Sequence, residues 1–176
     1  MVNFKDATLT ELPIEKVLEL AFQRHKEGQL EEAEELYNSV IARDPRQAHA
    51  IHMLGVIAHQ RGNNKISVEL ISRALSIAPN QAAAQCNLGL SLRDLGRLEE
   101  AVQCYQRALS IAPNYAQAYF NQGIALYELG RLDEATTSYR NAAEFAPNHA
   151  ASHLNLGNTL HDLGLFEDAA QSYRNV

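Results

Sequence analysis

The sequence predicts an all-α solenoid built from stacked antiparallel helix pairs. Three observations carry that reading. Pro45, Pro79, Pro113 and Pro147 recur at intervals of 34 residues. The stretches ALSIAPNQAAAQCNLGLSLRDLGRLEEAVQCYQ and ALSIAPNYAQAYFNQGIALYELGRLDEATTSYR are near copies of one unit. Within each unit, apolar residues follow a helical period twice, broken once by glycine and once by proline. A fixed period of this size marks a repeat array in which each unit buries its apolar face against its neighbours.

Residues 1–13 read as a short leader, with Thr10 as a candidate cap and Pro13 near the first helical turn. Placing each proline at position 32 divides the rest into repeats 14–47, 48–81, 82–115, 116–149 and 150–176. In the third repeat, Leu88 and Leu92 lie one helical turn apart, with Gly89 allowing another chain to approach closely. Gly96 breaks that helix. Ala101, Tyr105, Ala108 and Leu109 then form the apolar stripe of a second helix, which Pro113 ends. Asn114 follows where a cap for the next helix is expected.

Position 8 is Gly or Ala, 15 is Gly, 20 is Ala, 24 is Tyr, 27 is Ala and 32 is Pro. Gly89, Gly96, Ala101, Tyr105, Ala108 and Pro113 fill these positions, as do Gly123, Gly130, Ala135, Tyr139, Ala142 and Pro147. The first repeat matches with Ala21, Gly28, Ala33, Tyr37 and Pro45, and the last with Gly157, Gly164, Ala169 and Tyr173. This pattern resembles the tetratricopeptide repeat over residues 14–176. The resemblance implies a right-handed superhelical solenoid of five repeats, the last incomplete, whose first helices line a concave groove.

Departures from the pattern carry expectations of their own. The second repeat has Asn63-Asn64-Lys65 after its turn glycine, Ser67 for Ala and Ile71 for Tyr, and should be the weakest hairpin. Arg24 stands where other repeats have Ala58, Leu92, Leu126 and Leu160, as a charged end cap would. Gln122 replaces the leucines found at 20, 54, 88 and 156, and is expected to be a hydrogen-bonded internal amide. The chain stops at Val176, inside a helix. That suggests the N-terminal part of a longer polypeptide, with an uncapped last helix open to self-association.

Composition excludes several functions. The net charge is −6 and no basic run occurs, which argues against nucleic acid as partner. The doublets Glu31-Glu32, Glu99-Glu100, Asp133-Glu134 and Glu167-Asp168 all fall at one place in the repeat, just after the turn. They read as helix starts that favour the helix dipole, not as acid–base pairs. No stretch is long and apolar enough for a membrane span or signal peptide, so a cytoplasmic location is the expectation. Cys86 and Cys104 read as reduced core or groove thiols. His149 and His153 share a helical face, yet no carboxylate or cysteine completes a metal set, and the histidines are read as solvated groove residues. No nucleophile–base pair and no phosphate loop appears; neither a catalytic residue nor a cofactor is assigned.

The family resemblance implies that positions 2, 5, 6, 9, 12 and 13 face the groove. The binding residues so implied are Asn87, Asn121 and Asn155, with His52, His59, Leu90, Arg93, Phe120, Ile124, Tyr127, Asn158 and His161. The asparagines form a row one repeat apart, able to donate to and accept from a peptide backbone. The row resembles the asparagine ladder of the repeat region in O-linked N-acetylglucosamine transferases. Repeats that clamp a carboxylate tail need cations at positions 5, 9 and 2, and this chain has none there.

The expected function is therefore a non-catalytic module that binds a protein or peptide in its groove. Two alternatives stand beside it. One is a recruiting arm for a glycosyltransferase or sulfotransferase domain beyond Val176, suggested by a loose likeness of residues 50–60 to bacterial repeat–transferase proteins. The other is a self-assembly scaffold.

Overall fold

The computed structural model describes residues 12–176, which form helices joined by turns and contain no strand. They fall into two compact units, one up to Pro79 and one from Asn80 to Val176. The first unit holds α1 (Ile14–Lys26), α2 (Leu30–Arg43), α3 (Ala48–Gln60) and α4 (Asn64–Ile77). The second holds α5 (Ala82–Asp94), α6 (Leu98–Ile111), α7 (Ala116–Glu128), α8 (Leu132–Phe145), α9 (Ala150–Asp162) and α10 (Phe166–Arg174). The predicted helix pairs are all present.

Each hairpin turn is one motif repeated. Gly96 has φ 74°, a left-handed conformation that a Cβ disfavours. Its N–H bonds the Arg93 carbonyl, and the next N–H, of Arg97, bonds the Leu92 carbonyl. This is a Schellman closure, which satisfies carbonyls the helix end leaves open. The second helices stop as the prolines require: Ala112, before Pro113, is extended at φ −131° and ψ 87°.

The caps differ from expectation. Tyr115, not Asn114, occupies the N-cap of α7, because the helix starts one residue later than a capping Asn114 would need. Pro13 is the N-cap residue of α1, next to its first turn, and Thr10 lies outside the described residues. The acidic doublets do sit in the first turns of α2, α6, α8 and α10. Arg97 and Arg131, at the N-cap positions, grip Glu100 and Glu134 with paired hydrogen bonds of 2.6–2.7 Å. Those contacts hold both carboxyls below their ordinary pKa.

In the first unit, Val17, Ala21, Ala33, Leu36, Tyr37, Val40, Ala50, Leu54 and Ile57 form the core. Arg24 folds back on its own hairpin, 3.0 Å from Glu27 and 3.3 Å from Glu32. The departures in the second repeat are accommodated: Ser67 and Ile71 are fully buried, and Ile71 packs directly over Gly55. His52 is also buried, at 5 % exposure, contrary to the expectation of a solvated groove histidine. Cys86, at the same place in the next repeat, is likewise buried at 1 % exposure, whereas the equivalent Leu154 of the last repeat is exposed. Burial, and then the nearby His49, lower the His52 pKa from 6.5 to about 4.

In the second unit the packing theme is glycine against tyrosine. A Cβ on Gly89 would lie 2.6 Å from the Tyr105 ring, and one on Gly123 would lie 2.6 Å from the Tyr139 ring. Gly157 and Tyr173 repeat the arrangement. Cys86 and Cys104 are buried free thiols, and burial raises the pKa of both, that of Cys104 to about 11. Gln122 is the internal amide anticipated from sequence. It is buried, and its Oε1 accepts a 3.0 Å hydrogen bond from Ser138 Oγ on α8.

Two outcomes are expected. Gly123→Ala gains about 1 kcal/mol of helix propensity but forces a methyl into a rigid ring, an overpacking cost of ~1–3 kcal/mol. A net loss of about 1 kcal/mol should lower the chemical denaturation midpoint; a raised midpoint would contradict the steric argument. For His52, the unfolded imidazole takes up a proton below about pH 6.5 while the folded one resists until about pH 4. Stability is therefore complete above pH 6.5 and falls as the pH drops toward 4, by on the order of 3 kcal/mol. Thermal melts across that range should show a smaller acid-induced drop in Tm for His52→Leu than for the parent chain.

Candidate peptide-binding site

Within the second unit, α5, α7 and α9 are the first helices of successive hairpins, and equivalent positions on them fall at 34-residue intervals. The three asparagines have different surroundings. Asn121 is 3 % exposed. Its amide nitrogen donates to Cys86 Sγ at 3.6 Å, and its oxygen accepts from Gln117 Nε2 at 3.1 Å. Asn87 is half-buried. Asn155, also half-buried, meets the hydroxyl of Tyr139. The equivalent hydroxyl, on Tyr105, is buried with no hydrogen-bond partner among the described residues, since Asn121 is engaged with Cys86.

Around Asn155 the surface opens into a pocket of about 350 Å³ lined by Ile124, Tyr127, Glu128, Tyr139, Asn155, Asn158 and Thr159. Four of the residues expected at a binding face, Ile124, Tyr127, Asn155 and Asn158, come together here. Two of the walls are fixed by hydrogen bonds. Tyr127, 40 % exposed, donates its hydroxyl to Asp162 Oδ2 at 2.6 Å. Asn158 Oδ1 accepts from the Tyr173 hydroxyl at 2.9 Å. Burial pushes the Tyr139 hydroxyl up to about 12, and the Asp162 hydrogen bond raises that of Tyr127. Both phenols therefore stay protonated at neutral pH.

The other predicted residues lie outside this pocket. Phe120 packs edge-on against His149 at 4.8 Å and tilted against Tyr139 at 6.0 Å. Leu90 is half-buried, and Arg93 is paired with Asp94 at 3.0 Å. His161 is exposed and stands 5.3 Å from the Phe166 ring. His52 and His59 belong to α3 in the first unit, the former buried and the latter half-buried. His149 contacts Ser152 Oγ at 2.7 Å and His153 contacts the Pro147 carbonyl at 2.8 Å, so each imidazole is engaged separately. Among the described residues, no group of three His, Cys, Asp or Glu side chains could hold a metal ion. No described helix is long and apolar enough to cross a membrane.

Sequence reasoning missed Tyr139, Glu128, Thr159 and Asp162. Tyr139 was read as core, which it is at 2 % exposure, but one edge of it also floors the pocket. A signal for the acidic residues was present. Position 13 carries Asp94, Glu128 and Asp162 in the three repeats of this unit, a row of carboxylates beside the asparagine row.

A family model described as tetratricopeptide repeat matches residues 24–90, and one described as TPR repeat matches residues 89–130 and 123–164. No curated protein matches the chain in sequence. Solved structures share the fold. A crystal structure of MamA has 21% identity and a TM-score of 0.80, covering 88% of this chain and 91% of that one. PilF of Pseudomonas aeruginosa has 21% identity and a TM-score of 0.85, covering 92% and 74%. YrrB, described as a TPR protein with an unusual peptide-binding site, has 24% identity and a TM-score of 0.74, covering 90% and 82%. With the two family models together spanning residues 24–164, the chain belongs to the tetratricopeptide-repeat family.

Proposed function

We propose that the chain is a protein-interaction scaffold that holds an extended peptide segment against the first helices of its repeats. The observation that carries the reading is the pocket between α7 and α9. An apolar floor of Ile124 and the Tyr139 ring lies beside the amides of Asn155 and Asn158 and the Tyr127 wall. Apolar lining with a few placed polar groups is the makeup of a recognition pocket. Asn87, Leu90, Arg93, Phe120 and His161 extend the proposed contact along the same helices. Asn121, being buried, supports this face through packing and not by direct contact, and His52 is buried within the first unit. His59 contributes separately on α3. The role is binding, with no reaction assigned to the segment.

A second contact surface is favoured by exposed apolar side chains on the last hairpin. Leu154, Leu165, Tyr173 and above all Phe166, at 62 % exposure, stand in solvent. A second copy of the chain is the proposed occupant.

Peptides selected from a randomised library against the full chain test the first reading. Asn155→Ala combined with Tyr127→Ala should weaken them at least about tenfold, a loss of ~1.4 kcal/mol. Glu144→Ala, on the exposed surface of α8, should change nothing; equal affinity for all three proteins would refute the site. For the second surface, light scattering over a concentration series should show association that Phe166→Glu abolishes. A monomer at every concentration would remove it.

A further inference from the structure

The ligand chemistry of the pocket can be read from its charges, on the basis of the peptide-binding reading above. Three carboxylates follow one another at position 13 of α5, α7 and α9, and two of them are engaged. Asp94 is paired with Arg93, and Asp162 accepts the Tyr127 hydroxyl. Glu128, at the rim of the pocket, is exposed and has neither an ion-pair nor a hydrogen-bond partner among the described residues. Arg93, whose charge acts on Tyr139, is held by Asp94. Among the described residues, no cationic side chain lines the opening.

We propose that this pocket takes a basic side chain, Lys or Arg, from the bound peptide, with Glu128 as its counter-ion. The shape suits such a residue. An alkyl stem lies along Ile124 and the Tyr139 ring, as long basic side chains do on apolar surfaces. The charged head then reaches Glu128 at the rim. The half-exposed Tyr127 ring offers its negative face to the cation, and its hydroxyl is already committed to Asp162, which keeps the ring in place. The Asn155 and Asn158 carbonyl oxygens are further acceptors for a donor-only head group. An acidic or neutral side chain would leave Glu128 without compensation. The preference is thus opposite in sign to a carboxylate clamp.

NMR titration of the 15N-labelled full chain tests the proposal with four probes: the N-acetyl methylamides of arginine, lysine, norleucine and glutamate. The arginine and lysine probes should move the Asn155 and Asn158 side-chain amide signals and bind at least about fivefold tighter than norleucine, the effect of one added close charge pair. Added salt should weaken them. Glu128→Gln, an exposed change whose folding the same spectra report, should erase the difference between lysine and norleucine. Norleucine binding as tightly as arginine would overturn the charge preference while leaving the peptide site standing. Unchanged arginine affinity in Glu128→Gln, preferential binding of the glutamate probe, or no binding by any probe would each overturn it too. The library-selected peptides would still judge the peptide site by itself.

Discussion

Each hairpin depends on one steric fit, in which a residue without a large side chain on the first helix receives a large ring or branch from the second. Gly89 faces Tyr105, Gly123 faces Tyr139 and Gly157 faces Tyr173, at distances that leave no room for a Cβ. The divergent repeat keeps the principle with different parts, since Gly55 receives Ile71. Helix packing distances depend on the side chains at the contact. A glycine here lets the second helix come close, and the turn glycine one helix-end away closes the loop over that short gap. The two glycines of a hairpin therefore act together, one by having no Cβ in the packing and the other by accepting a left-handed φ.

This arrangement also shapes the pocket. The tyrosine that fills the glycine gap reaches through the hairpin, so that Tyr139 is at once a core residue and the floor of the pocket. Its hydroxyl emerges beside Asn155 of the next repeat. In the preceding repeat the same plan gives another result. Cys86, small and buried, draws the Asn121 amide to its sulfur, and the Tyr105 hydroxyl is left enclosed. Identical spacing thus yields one enclosed position and one open pocket, and the difference lies in the neighbours.

That contrast explains what was legible in the sequence. Features fixed by backbone sterics could be read directly. The 34-residue proline spacing placed the helix ends, and the turn glycines placed the hairpins. The Gln122 amide could be anticipated because a polar residue in a leucine position must find a partner, and Ser138 is that partner. Features fixed by contacts across repeats could not be read. Burial of His52 and Asn121 depends on what covers them, and periodicity alone treats every member of a row alike. The caps were missed for a smaller reason, a one-residue shift in helix start that moved Asn114 outside the capping position.

The row of carboxylates at position 13 is where the proposed specificity is separate from the constraints of the fold. Asp94, Glu128 and Asp162 lie on first helices and take no part in the glycine–tyrosine contacts themselves, so their identity is free of that packing constraint. A charge left without an internal partner in such a place costs little while solvated, because water stabilises it as well as a surface ion pair would. Once a ligand covers the pocket that solvation is lost, and only a cation restores it. On the proposed reading, selectivity at Glu128 arises at the moment of binding and not in the free protein. The same logic explains why Arg93 and Tyr127 matter indirectly: by occupying Asp94 and Asp162, they leave Glu128 as the open acceptor of the three.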